Sequence, residues 1–106
     1  MKYEIIWSEF AEQQVDEIFE YYEQKTKSYN IALNIVRNIL LAPNILIENP
    51  KIGQKEISLK NRKIEYHHLV ESNYKIIYSI DEENKSVKIA DVFDTRQNPN
   101  KIGREK

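Results

Sequence analysis

Ser72–Pro99, SNYKIIYSIDEENKSVKIADVFDTRQNP, decides how this chain folds. Two runs rich in β-branched and aromatic residues, Asn73 to Ile80 and Ser86 to Asp94, flank a polar, charged turn at Asp81 to Lys85, which is how a β-hairpin with a longer loop appears in sequence. With Ile80 opposite Val87, antiparallel counting puts Tyr74, Ile76, Tyr78 and Ile80 on one face with Val87, Ile89 and Phe93. That face is expected to be core. The opposite face then carries Lys75, Ile77 and Ser79 beside Lys88, Ala90, Val92, Asp94 and Arg96, so Lys75 and Arg96 are expected to emerge together, away from the core. A slip of one residue would exchange the two faces.

The residues before this hairpin supply what packs on it. Lys2 to Trp7 alternates Tyr3, Ile5 and Trp7 against Lys2, Glu4 and Ile6, the pattern of a strand half buried on one face. Ser8 is a good N-cap, with Glu9 and Glu12 where the helix dipole favours carboxylates, and Ala11, Val15, Ile18, Phe19 and Tyr22 recur at helical spacing to about Gln24. The acidic outer face of that helix reads as a solvated surface. Ser28 caps a second helix through Ala32, Ile35, Val36, Ile39 and Leu40, and Pro43 should kink it before a short helical turn at Asn44 to Ile47. After Pro50 and Gly53, Gln54 to Asn61 reads as loop or irregular edge strand, and Arg62 to Val70 as a strand. The expected fold is α+β, in the order β-α-α-β-β-β: a helical hairpin packed on one face of a mainly antiparallel four-stranded sheet, with the first strand beside the last.

A length of 106 residues with 41% hydrophobic and 10% aromatic content suffices for one compact domain, 1–106. No apolar run approaches the ~20 residues that span a bilayer, and MKYEIIWSEF has too short an apolar run for a signal peptide; a cytoplasmic protein is expected. Without cysteine there is no disulfide framework or thiolate metal site. Adjacent His67 and His68 on a strand point to opposite faces, so neither a metal nor another cofactor is expected. The net charge of −1 hides an asymmetry, since residues 1–50 sum to −4, 51–78 to +3, 79–94 to −3 and 95–106 to +3. The basic segments of the second half are candidates for a patch that meets phosphates or an acidic partner, with an ordinary solvated surface as the plainer alternative.

NYKIIYSID followed by VKIADVFDTRQNP resembles the last two strands of the RelE/ParE superfamily of bacterial toxins, where an aromatic-basic pair opens one strand and an arginine closes the next. The opening strand ending in Trp7-Ser8, the helical hairpin, and Asn49-Pro50-Lys51-Ile52-Gly53 before the sheet resumes extend the resemblance over nearly the whole chain. It implies the same fold, and the toxin component of a type II toxin-antitoxin system. A cognate antitoxin is then the expected partner, its disordered segment adding a helix or strand over exposed apolar and basic surface.

Within the superfamily, FDTRQNP at 93–99 looks closer to ParE-like members, which poison DNA gyrase and need no catalytic group. Lys75, Arg96, Arg62, Lys63 and Lys101 are then the expected target contacts. In the ribonuclease branch, ribosome-bound messenger RNA is cut without a metal by the ribose 2′-hydroxyl, which needs cations at the phosphate and a proton-transfer group. Carried over, that branch's site falls on Lys75, where arginine is usual, on Arg96 and on Arg62, with His67 as a substitute base and Ile102 where a tyrosine or histidine is expected. Lysine does not reproduce the bidentate grip of arginine on phosphate. A growth-inhibiting, gyrase-directed toxin is therefore the expectation, with a metal-independent endoribonuclease and an inactive binding module as the alternatives. The plainer roles are an ion pair with Asp94 or Asp91 for Arg96, and packing beside tyrosines for His67.

Overall fold

Ser8 ends the first strand and starts the first helix. β1 (Glu4–Trp7) stops there, and the Ser8 hydroxyl accepts from the Ala11 amide at 3.0 Å to open α1 (Glu9–Thr26). The structure is a computed structural model that describes residues 2–56 and 63–96. Lys27, left-handed at φ 59°, closes α1, and Ser28 caps α2 (Tyr29–Leu41) by accepting from the Ile31 amide at 3.2 Å. At Pro43 the chain tightens into a 3-10 turn, Ala42–Ile47, followed by a second at Pro50–Ile52. β2 (Gln54–Lys55), β3 (Tyr66–Glu71), β4 (Tyr74–Asp81) and β5 (Ser86–Asp94) complete a sheet of order β1-β5-β4-β3-β2.

β1 runs parallel to β5, as a strand separated from its neighbour by a helical crossover does, and the other pairings are antiparallel. The sheet has five strands instead of the four expected, because Gln54 and Lys55 pair with His68 and His67 at the edge. Ala11, Val15, Val36 and Ile39 from the helices bury against Tyr74, Ile76, Tyr78, Val87, Ile89 and Val92. Leaving water contributes about 1.5–3 kcal/mol for each large aliphatic side chain of that layer.

Ile80 pairs with Val87, as the turn length implies, yet the register slips further along: Ile77 faces Asp91 while Tyr78 faces Ile89. Ala90 is the extra residue of a β-bulge. Beyond it the remaining β5 side chains change sides, so Val92 and Asp94 join Tyr74 and Ile76 on the helix side. Phe93 falls opposite Lys75 and packs with Ile77 and Tyr66 on the far face. Two expectations are thereby corrected. Phe93 is core but does not lie beneath the helices, and Lys75 and Arg96 do not share a face. The bulge is tied to the helix cap, since the Ser8 hydroxyl donates to the Ala90 carbonyl at 3.3 Å and its amide to the Ile89 carbonyl at 3.0 Å.

The 19-residue run Tyr29–Ile47 is long and apolar enough, by length and composition, to cross a membrane, which amends the expectation that no such run exists. In this fold it is α2 and its 3-10 continuation, with Ala32, Val36, Ile39, Pro43 and Leu46 buried. Its other side leaves Tyr29, Ile31, Leu40, Leu41 and Ile45 exposed.

Candidate functional site

Arg96 lies two residues beyond the end of β5 and folds back on that strand. Its amide and Nε both donate to Asp94 Oδ1 at 2.9 Å, and Nη2 donates to Oδ2 at 2.8 Å. Because the bulge has turned Asp94 toward the helices, this ion pair reaches α1, where Nη2 also donates to the Tyr22 hydroxyl at 3.4 Å. The same oxygen accepts from the Tyr74 hydroxyl at 3.4 Å. Two donors on one phenol oxygen leave Tyr22's own proton to be given elsewhere. They also hold its pKa below 10.0, the Tyr74 bond acting most strongly and Arg96 assisting against burial. Tyr74, buried and donating, is pushed up, and the Arg96 bonds hold Asp94 below the usual carboxylate range.

Beside this network lies a cleft of about 350 Å³. Gln14, Glu17, Ile18 and Tyr21, spaced i, i+3, i+4 and i+7 along α1, form one wall. The ends of β4 and β5 form the other, through Tyr74, Val92 and Asp94, with Arg96 at the rim.

On the far face, Lys75 is already engaged. Its Nζ lies 3.2 Å from Glu56 Oε1, and His68 Nδ1 lies 2.9 Å from the same oxygen. Glu56 is 2% exposed and is fixed just after β2 by its amide, which donates to the Tyr66 carbonyl at 2.8 Å. Burial lowers the His68 pKa below 6.5 against the pull of Glu56, so the ring is neutral at pH 7 and Lys75 is the cation that compensates the carboxylate.

His67 faces the helix side, stacked on Tyr78 with ring centroids 5.6 Å apart and Nε2 3.2 Å from Glu65 Oε2. Lys63 is exposed. Arg62, Lys101 and Ile102 lie outside the described residues. The structure therefore brings none of Lys75, His67 and Arg96 together, and gathers instead Tyr22, Tyr74 and Asp94 around Arg96, and Glu56 and His68 around Lys75. Of these, Asp94 was legible as a neighbour in sequence. Tyr22 reads as an ordinary member of an apolar helix stripe, and Glu56 as part of a charged loop.

The sequence profile of the ParE toxin of the type II toxin-antitoxin system, parDE, matches residues 5–99. The chain belongs to the ParE toxin family. Among solved structures, this ParE-family toxin is similar to a chain of the chromosomal ParDE toxin-antitoxin system from P. aeruginosa, with a TM-score of 0.71 and 15% identity over 88% of this chain and 96% of that one. It is similar too to a chain of the toxin-antitoxin complex RelBE2 from Mycobacterium tuberculosis, with a TM-score of 0.58 and 18% identity over 89% and 92% of the two chains. At those identities the likeness is one of fold. No curated protein matches the chain. Within this ParE-family fold, the bulge at Ala90 is what sets Arg96 against α1 and leaves Lys75 with Glu56 on the other side of the sheet.

Proposed function

We propose that this ParE-family toxin inhibits bacterial growth by binding a cytoplasmic target such as DNA gyrase, with no chemistry of its own, and that a cognate antitoxin neutralises it. The division of its cations carries this reading. Lys75 is paired with buried Glu56 on one face of the sheet, while Arg96 lies with Asp94 and Tyr22 on the other. Stabilising a phosphate in its transition state takes donors that converge on it, and these two diverge. A partner is supported by the apolar surface at Leu40, Leu41 and Ile45, which a monomer leaves in water, and by the origin of both structural neighbours in toxin-antitoxin assemblies. Induction in a bacterial host is the test. Growth arrest with a DNA-damage response, abolished by Arg96→Ala in a folded protein, is expected; arrest accompanied by cleavage of ribosome-bound message overturns the proposal.

One observation favours the ribonuclease as a second reading: Tyr22 is a phenol of lowered pKa 3.4 Å from a guanidinium, a geometry suited to moving a proton. On that reading the purified toxin cuts ribosome-bound messenger RNA in the presence of a chelator, and Tyr22→Phe slows the cut by ~10²- to 10⁴-fold.

A further inference from the structure

Along α1, Glu9, Glu12, Asp16, Glu17, Glu20 and Glu23 face a single cation, Lys25. Glu17 differs from the rest because it borders the cleft against the sheet, whose apolar surface comes from Ile18, Val92 and the Tyr74 ring. Across that cleft, Arg96 and Asp94 satisfy each other through two parallel bonds. Among the described residues Glu17 makes no ion pair, and it stands within the field of an acidic helix. The cleft volume of about 350 Å³ lies in the range of clefts that hold ligands, ~300–1,000 Å³. A side chain that suits it has an apolar stem for Ile18, Val92 and Tyr74, and a cationic head for Glu17. The half-exposed Tyr21 ring on the same wall already has Lys25 Nζ 5.4 Å from its centroid, so an incoming cationic head would share or displace that contact. A carboxylate or phosphate entering the same space would meet Glu17 and the rest of the helix as like charges.

We propose that this cleft is where the cognate antitoxin docks a lysine or arginine side chain, an inference that rests on the toxin-antitoxin reading above. The test is the affinity of purified antitoxin for the toxin, measured by calorimetry at low and high salt. Glu17→Lys, a change on the exposed surface of α1, is expected to weaken binding by about tenfold or more. Tyr21→Ala should weaken it by several-fold, whereas Glu48→Lys, outside the cleft, should leave it unchanged. Reversing the matching basic residue of the antitoxin to glutamate should restore binding to Glu17→Lys, which mere misfolding would not allow. Undiminished binding by both Glu17→Lys and Tyr21→Ala overturns the docking site while leaving the antitoxin reading in place. Failure of the unaltered toxin to bind antitoxin overturns both.

Discussion

Arg96 closes on Asp94, two residues before it, with both prongs of its guanidinium, Nε to Oδ1 at 2.9 Å and Nη2 to Oδ2 at 2.8 Å. The Asp94 carboxyl is held below its ordinary value of 3.8, first by these bonds. A depressed folded pKa stabilises the protein above the unfolded value, and that contribution is lost as pH falls through the folded one. The stability difference between the unaltered protein and Asp94→Asn should therefore be largest near neutrality and shrink toward zero in acid. Urea unfolding at a series of pH values checks this, and a difference that persists unchanged at pH 2 would exclude it.

Tyr22 and Tyr74 should titrate on opposite sides of 10.0, Tyr22 below and Tyr74 above. Ultraviolet titration of the protein and of Tyr22→Phe assigns the early step. Arg96→Ala should move that step up without abolishing it, because the Tyr74 bond is the stronger of the two causes.

Phe93→Ala opens a cavity beside Ile77 and Tyr66 and should cost ~3 to 5 kcal/mol. The early tyrosine titration should survive, since Phe93 lies on the side of the sheet away from Tyr22. A loss below ~1 kcal/mol would show that Phe93 is not part of a packed layer.

Tyr78 ties the second 3-10 turn to the sheet: its buried hydroxyl donates to the Pro50 carbonyl at 2.9 Å and accepts from the Gly53 amide at 3.0 Å. Tyr78→Phe should cost ~1 to 3 kcal/mol by leaving those groups unpaired. Gly53 is required for room and not for its φ, which is an ordinary −72°. A Cβ there would press on the Tyr78 hydroxyl and come within 2.8 Å of the His68 carbonyl, and backbone cannot yield cheaply. Gly53→Ala should thus destabilise by ~1 to 3 kcal/mol or more, and by less in a Tyr78→Phe background, where the nearest obstacle is gone while the His68 carbonyl and the ring edge remain. Strict additivity in that double-mutant cycle would exclude the contact.

His68 is held neutral by burial, with Glu56, Lys75 and His67 as the charged or titratable groups around it. The unfolded chain binds the proton more readily, so stability should fall as pH drops from about 6.5 toward the lower folded value. His68→Gln should flatten that part of the profile. Glu56→Gln, which leaves Lys75 without its carboxylate, should cost ~1 to 3 kcal/mol at pH 7, less than a wholly buried pair because the Lys75 side chain keeps 27% of its exposure.

The helix caps, the helical hairpin and the β4–β5 turn were legible because each has a local cause: Ser8 and Ser28 accept from amides three residues on, and the turn length sets Ile80 against Val87. The bulge was not. Its sequence, Ile89-Ala90-Asp91-Val92-Phe93, has two adjacent large apolar residues at its end, and a period of two cannot say which one points inward. The site failed to read for the same reason. Once Phe93 is assigned to the wrong side, Asp94 and Arg96 follow it, and Tyr22 is left with no visible polar partner. Glu56 escaped detection because its burial comes from His68 and Lys75, distant in sequence and brought to it only by strand pairing.

Ala90 acts as a spacer that sets which side of the sheet receives whatever follows it. If the strand zipped straight on from Ile89 with Ala90 kept and paired to Ile77, Phe93 would turn toward the helices and Arg96 would be delivered to the surface where Lys75 stands, with no side chain altered; deleting Ala90 would instead leave a regular ladder with every later side chain on its present side. Making or flattening the bulge is therefore enough to readdress the terminal arginine from one side of the sheet to the other. Two proteins of this architecture with the same final arginine need not offer it to the same molecule.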